Sequence, residues 1–230
     1  MNEAINNKAS RIGQRKRILR FVKILVSLII IFLFFMYLVV GILYNSGNFS
    51  ITLDKNLYFD DGIIIYDDPT YKVYRSELLA ESVPAFDNIS EKWIPEDVHL
   101  GEGSNNGENY LAYSFYLENL GEDTVDIWSE VVLTDVIKNV DEAVRVRVYK
   151  NDEYVTYAKV GATGEPERNA VNFLEDGVVN IDKLENFKPG DLIKYTIVLW
   201  IEGSDPECTD NILGGEVKFN MNFNSEVVEK

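Results

Sequence analysis

The side chains with the most distinctive chemistry lie in one short acidic segment, residues 202–210. It carries carboxylates at Asp205, Glu207 and Asp210, together with the backbone carbonyls of a turn that contains glycine and proline. Hard divalent cations such as Ca²⁺ prefer oxygen ligands of this kind. The segment therefore predicts a calcium site at these three residues. Because it lacks the D-x-D-x-D-G spacing of a calcium-binding loop, a solvated acidic turn is the alternative interpretation.

Residue types that commonly perform catalysis are scarce in this sequence. The single histidine, His99, lies in a turn-rich stretch and is expected to be exposed to solvent. A catalytic triad needs that imidazole beside a nucleophile, and a zinc hydrolase needs ligands such as those of H-E-x-x-H, which is absent. Acidic residues are so numerous that a pair of carboxylates carries no information about glycoside hydrolysis. We therefore expect a protein that is not an enzyme and has no cofactor apart from the predicted calcium.

Two arginines and the single cysteine are expected to have structural roles. Arg145 and Arg147 alternate with the valines of one predicted strand, so we expect them to face solvent and to pair with nearby acids. Cys208 has no partner for an internal disulfide. We expect it to be a buried thiol, and pairing between chains is the alternative.

Formal charge is divided unevenly along the chain. Residues 1–44 contain seven of the 22 basic residues and one of the 38 acidic residues, which leaves residues 45–230 with 15 basic and 37 acidic residues and a net charge of −22. Such a negative field repels nucleic acids and anionic lipid headgroups. Nucleic acid is therefore excluded as an expected partner.

An uncharged apolar run near the N-terminus predicts a single transmembrane helix. The 21 residues 24–44 contain no charge, and at a rise of about 1.5 Å per residue they span roughly the thickness of a hydrocarbon core. Basic residues cluster before the run, and positive flanks stay in the cytoplasm. We therefore expect a basic cytoplasmic tail (1–20), a transmembrane helix (21–44) and an extracellular C-terminal domain at the cell membrane. The alternative is a cleaved signal peptide, whose apolar region is normally only about 7–15 residues long.

Most of the remaining chain shows the period-two pattern of β-strands. Apolar side chains alternate in residues 111–117, 125–133, 144–148, 193–201 and 217–223, with turn residues between them. Shorter strands are predicted at residues 51–59, 62–66 and 154–160, and short helical turns at 74–81 and 136–143. Many strands with little helix are typical of a two-sheet β-sandwich.

The predicted domains follow from this pattern. Residues 45–107 form a membrane-proximal segment with the first strands and an irregular lobe, in which Trp93 and Ile94 are expected to pin the chain onto the sheet. Residues 108–225 form the core of the sandwich, and residues 226–230 form a tail.

Four stretches are similar to one family of bacterial surface proteins. They are residues 109–121 (NYLAYSFYLENLG), 141–146 (DEAVRV), 200–208 (WIEGSDPEC) and 214–219 (GGEVKF). Over about residues 90–225 the chain resembles the TasA/camelysin-like surface proteins of Gram-positive bacteria, and most of all a branch of membrane-anchored clostridial relatives. The resemblance implies a jelly-roll β-sandwich exported through a membrane segment. In the best-known members it implies biofilm matrix fibres, in which an N-terminal segment of one subunit completes the sheet of the next.

These observations lead to one expected function and two alternatives. We expect a mainly β protein, with a single N-terminal transmembrane helix followed by a jelly-roll-like β-sandwich ectodomain. Its expected function is that of a non-enzymatic, cell-surface structural or interaction protein associated with the matrix or the envelope. The alternatives are a camelysin-like metal-dependent peptidase and an accessory binding module of a surface complex.

The expected partners are the lipid bilayer and either a second copy or another surface protein, which would pair by β-strand addition. Residues 49–53 (FSITL) alternate in polarity and lie next to the membrane segment, so they are the candidate strand for such pairing. The alternative is that they form the first strand of their own sandwich.

Overall fold

The N-terminal part of the computed structural model is one apolar α-helix. The structure describes residues 20–39, 49–83 and 85–225. Helix α1 (Arg20–Val39) is long and apolar enough to cross a membrane, and none of it is buried within the structure. A signal sequence meets the same criteria of length and composition. Residues 1–19 of the predicted cytoplasmic tail, the predicted end of the transmembrane helix at residues 40–44 and the predicted tail 226–230 lie outside the described residues, whereas Arg20 begins α1.

From residue 49 onward the described chain forms two β-sheets. The elements are β1 (Phe49–Leu53), α2 (Lys55–Phe59), β2 (Ile63–Tyr66), β3 (Glu77–Leu79), β4 (Gly103–Ser104), β5 (Leu111–Asn119), β6 (Val125–Ile137), β7 (Val144–Lys150), β8 (Glu153–Ala158), β9 (Val171–Asn172), β10 (Val178–Phe187), β11 (Leu192–Ile201) and β12 (Glu216–Asn224). One sheet has the strand order β10-β6-β12-β1-β3, and the other has the order β2-β5-β11-β7-β8-β9, with β4 beside β5. Both sheets contribute side chains to one shared apolar core. The prediction of a mainly β, sandwich-like unit is confirmed.

Alternating apolar residues create the facing surfaces of the two sheets. In β12, Val217, Phe219, Met221 and Phe223 are buried, whereas the residues between them are half-buried. Successive side chains of a strand point to opposite faces, so one face of each sheet is free to pack on the core. Burial of a large apolar side chain contributes about 1.5–3 kcal/mol, and rows of such side chains hold the two layers together. Strands β5, β7, β11 and β12 confirm the positions predicted from the alternation.

Strand β1 is an inner strand of the five-stranded sheet. It pairs in parallel with β12, with Ser50 opposite Asn220, and antiparallel with β3. Its three apolar side chains, Phe49, Ile51 and Leu53, are buried in the core. In this structure residues 49–53 therefore form the first strand of their own sandwich.

Two local predictions are wrong, a third holds only in part, and three strands were not predicted. Residues 57–59 belong to helix α2 rather than to a strand, because the Asp54 carboxylate caps the helix by accepting the backbone N–H of Asn56 at 2.8 Å. Residues 74–81 are extended and include β3. Of residues 136–143, the first two continue β6 and residues 140–142 form a 3₁₀ helix, so the predicted short helix is limited to these three residues. The missed strands are β4, β9 and β10; β4 and β9 are two residues long, and charged residues hide the alternation of β10.

A smaller apolar layer covers the outer face of the seven-stranded sheet. Residues 88–110, the cover segment, place Ile89, Ile94 and Val98 in contact with a patch of that face formed by Ala112, Tyr149, Val198 and Trp200. Ile94 therefore pins the segment as predicted, whereas Trp93 is 73% exposed. The outer face of this sheet is an interior surface in the covered region, and charged side chains of β7 lie within it.

Candidate functional site

A polar cavity of about 310 Å³ lies between the cover segment, three strands and two loops. Its size is at the lower end of the range of about 300–1,000 Å³ that is usual for small-molecule sites. The lining residues are Ser90, Glu91 and Lys92 of the cover segment, Arg145, Thr156 and Trp200 of β7, β8 and β11, and Glu167, Arg168, Glu202 and Ser204 of the loops. This cavity is the candidate functional site.

Arg145 forms the most deeply buried charge of the cavity wall. Only 3% of the residue is exposed, and its Nη2 lies 2.6 Å from Asp205 Oδ2 and 3.0 Å from Glu167 Oε2. Both carboxylates come from loops that fold over the outer face of the sheet. The prediction that Arg145 faces solvent is therefore wrong, because the alternation along β7 separates two faces but does not show that both are covered.

Arg147 is also buried, contrary to the prediction. Its guanidinium carbon lies 4.5 Å from the ring centroid of Tyr154 and 5.1 Å from that of Trp200. Its Nε donates to the hydroxyl of Thr156 at 2.9 Å, and its Nη2 lies 3.5 Å from the Glu91 carboxylate. Stacking on aromatic faces together with a charge partner suits the planar guanidinium, so Arg147 links the cover segment to the sheet.

Glu202 fastens the same end of the cover segment, through the backbone of Glu91. Its carboxylate accepts the indole N–H of Trp200 at 3.1 Å, the hydroxyl of Ser204 at 2.7 Å and the backbone N–H of Glu91 at 3.0 Å. Burial alone would raise the pKa of Glu202, but these hydrogen bonds outweigh it and hold the pKa below its ordinary value. Glu202 is therefore an ionised, structurally engaged carboxylate.

Next to the cavity, three carboxylates converge on one point. Glu167, Asp205 and Glu207 each place an oxygen within 4.8 Å of the others. The structure thus brings together two of the three predicted calcium ligands and adds Glu167, whereas Asp210 is exposed and lies outside this group. Oxygen ligands of this kind suit Ca²⁺, but Arg145 already supplies a positive charge to two of them. Calcium at this cluster stays a prediction.

The pKa values of Asp205 and Glu207 are shifted in opposite directions. Burial, together with a hydrogen bond shared with the Glu207 carboxyl group, raises the pKa of Asp205 to about 6. The backbone N–H of Ala162 donates to Glu207 at 2.9 Å and is the main cause that lowers the pKa of Glu207. Of these two carboxyl groups, Asp205 is therefore the one that is protonated first as the pH falls.

Replacing Asp205 with asparagine should change how stability depends on pH. Because the pKa of Asp205 is raised in the folded state from 3.8 to about 6, its contribution to stability is present at acid pH and is lost as the pH rises from about 4 through 6. Urea unfolding between pH 4.5 and 7 should show this loss in the wild type but not in Asp205→Asn. The matched control is Asp210→Asn, which should keep the wild-type slope. Parallel curves for the wild type and Asp205→Asn would contradict the assignment.

The single histidine and the single cysteine both pack against other side chains of the β-rich unit. His99 stacks on Tyr149 with ring centroids 5.0 Å apart, and its side chain is 18% exposed, so the prediction of an exposed histidine is wrong. The nearby hydroxyl of Thr196 donates to the backbone carbonyl of His99 and not to the imidazole. Cys208 is half-buried against the core, and burial raises the pKa of its thiol. His99 Nε2 lies 3.6 Å from the carboxylate of Asp152, whose side chain is exposed to solvent.

Comparison with known proteins gives no functional lead. No family model matches the chain, and no curated protein matches it. Among solved structures, the β-glucosidase of Kluyveromyces marxianus in complex with glucose aligns with a TM-score of 0.27 at 13% identity, over 72% of this chain and 15% of the enzyme. The selenomethionine-labelled form of a β-glucosidase from the same organism aligns with a TM-score of 0.26 at 12% identity, over 72% of this chain and 16% of the enzyme. The chain thus spans less than a fifth of these enzymes, and likenesses this distant do not establish even a common fold.

Proposed function

We propose that this chain is a non-enzymatic, membrane-anchored surface protein with a structural or interaction role, as its resemblance to the TasA/camelysin-like proteins implies. In this proposal α1 stays in the membrane, the N-terminus is cytoplasmic and the β-rich unit, a jelly roll, is extracellular. The support is the apolar surface of α1, the negative charge of the chain beyond it and the engagement of the buried carboxylates of the cavity in ion pairs and hydrogen bonds.

The observation that carries the proposal is the position of β1. This strand follows the apolar helix closely in sequence, yet it is an inner strand of a sheet, where its parallel neighbour β12 comes from the far end of the described chain. A strand held this way can be supplied equally well by a second copy, since the contacts that receive it are the same. Anchoring in one membrane raises the effective concentration of neighbouring copies. We therefore infer self-association by exchange of β1.

Cysteines placed in β1 and β12 should report that exchange. Ser50 and Asn220 are opposite each other, and their side-chain oxygens are 3.1 Å apart, so cysteines there fit the Cα separation of about 4.4–6.8 Å that a disulfide needs. Two chains that also carry Cys208→Ser are coexpressed, one with Ser50→Cys and the other with Asn220→Cys. Strand exchange should join them in a disulfide-linked pair on a non-reducing gel.

The control for this experiment replaces Asn220→Cys with Lys188→Cys, an exposed position in a turn that is not paired with β1. That mixture should stay uncrosslinked. If the first mixture also stays uncrosslinked while a single chain with both cysteines forms an internal disulfide, exchange of β1 is refuted. Chelator-sensitive hydrolysis of casein by the purified chain would refute the non-enzymatic role independently.

A further inference from the structure

The cavity holds two cations for which the described residues offer no charge partner. Lys92 is exposed on the cover segment and Arg168 is exposed on the loop between β8 and β9. Within residues 49–83 and 85–225, neither side chain makes an ion pair or a side-chain hydrogen bond. By contrast, Arg145 is paired with Glu167 and Asp205. Arg147 is paired with Glu91. Two unpaired positive charges thus line the cavity of a strongly acidic protein, where they attract an anion.

The rest of the lining is rich in hydroxyl groups and carboxylate oxygens. Ser90, Thr156 and Ser204 contribute hydroxyls, and Glu91, Glu167 and Glu202 contribute carboxylates. Glu202 already accepts four hydrogen bonds, from Trp200, from Glu91 and twice from Ser204. Glu91 and Glu167 keep free lone pairs, since an ionised carboxylate accepts about four hydrogen bonds. The cavity therefore offers acceptors for hydroxyl donors as well as cations for an anionic group.

We propose that this cavity binds a small hydroxylated carboxylate of the sugar-acid class. The carboxylate of the ligand pairs with Lys92 and Arg168, because a guanidinium matches the planar carboxylate with two parallel hydrogen bonds. The hydroxyl groups of the ligand donate to Glu91 and Glu167. This proposal is independent of strand exchange and concerns a different surface.

Other small ligands match the lining less well. A simple anion such as acetate or phosphate satisfies the cations but brings no row of hydroxyl donors for the carboxylates. A neutral sugar brings the donors but leaves both cations without a partner. A ligand with hydroxyl donors and one negative charge supplies partners for both the cations and the carboxylates.

The floor of the cavity is built before any ligand arrives. Trp200 is 1% exposed, and its indole N–H is held by Glu202, while Arg145 is fixed between two carboxylates. Side chains held in this way lose little conformational entropy on binding. Recognition is therefore expected to depend on the two exposed cations, which can be changed without disturbing the core.

Isothermal titration calorimetry of the full-length chain in nanodiscs tests this proposal, with sodium glucuronate as the probe. Glucuronate should bind, and glucose and acetate should each bind at least about tenfold more weakly, since glucose lacks the charged group and acetate lacks the hydroxyl donors. Lys92→Gln and Arg168→Gln should each weaken glucuronate binding about tenfold. Affinity should also fall as salt is added, because the charges of the two cations are screened.

The control is Lys188→Gln, which removes another exposed lysine that has no ion pair and lies outside the cavity. It should leave the affinity unchanged, and melting curves of all three variants should match the wild type. Failure of glucuronate to bind would overturn the proposal. Acetate binding as tightly as glucuronate would overturn it as well. So would an affinity for glucuronate that is the same in the wild type, Lys92→Gln and Arg168→Gln.

Discussion

Replacing Arg145 with methionine should lower the free energy of unfolding by about 3–5 kcal/mol at pH 8, the usual cost of breaking a buried ion pair on one side. The guanidinium is 3% exposed and lies 2.6 Å from Asp205 and 3.0 Å from Glu167. Methionine fills much of the same space but leaves two carboxylates without their cation. Urea unfolding followed by tryptophan fluorescence measures the change.

Two comparisons isolate the ion pair from the loss of packing. Arg168→Met removes an exposed arginine and should change stability by no more than about 0.5 kcal/mol. The double variant Arg145→Met with Asp205→Asn should recover part of the loss, since it removes one of the abandoned charges. At pH 5 the loss should be smaller than at pH 8, because Asp205, with a pKa of about 6, is then protonated. Equal losses in Arg145→Met and Arg168→Met would contradict the buried ion pair.

Arginine at Ile30 and Phe34 should remove the protein from the membrane. Both residues lie in the middle of α1, where the helix is apolar on all sides and exposed. On the insertion scale each arginine at the centre of a helix costs about 2.5–3.5 kcal/mol, whereas leucine is favourable. Carbonate-washed membranes should retain the wild type and a variant with leucine at both positions, and they should lose the double arginine variant. Recovery of the wild type in the medium, shortened at its N-terminus, would instead indicate a cleaved signal sequence.

Regular alternation made much of the fold predictable from sequence. Strands β5, β11 and β12 carry apolar residues at every second position, and the structure places these strands where the pattern does. The pattern fails in β10, where Asp182, Lys183 and Glu185 interrupt it. This strand lies at a sheet edge, and one-sided packing there tolerates charges that a central strand does not.

The candidate site was only partly predictable, because residues distant in sequence form it and because alternation along a strand does not show which faces are covered. The acidic composition of residues 202–210 pointed to Asp205 and Glu207, but the third carboxylate, Glu167, lies far away in sequence. Alternation along β7 assigned Arg145 to the face opposite the valines and could not reveal that the cover segment closes this face. The apolar residues Ile89 and Val98, spaced along a turn-rich stretch, were the signal that a second layer exists.

Protease accessibility in spheroplasts tests the outward-facing, anchored arrangement most directly. The full-length chain carries one epitope tag at its N-terminus and another at its C-terminus, and intact spheroplasts are treated with proteinase K. Loss of the C-terminal tag, with the N-terminal tag kept on a short membrane-bound fragment, is the expected result. Survival of both tags until the spheroplasts are lysed would show a protein that stays inside the cell, and it would contradict a bilayer-spanning α1 that holds the β-rich unit outside.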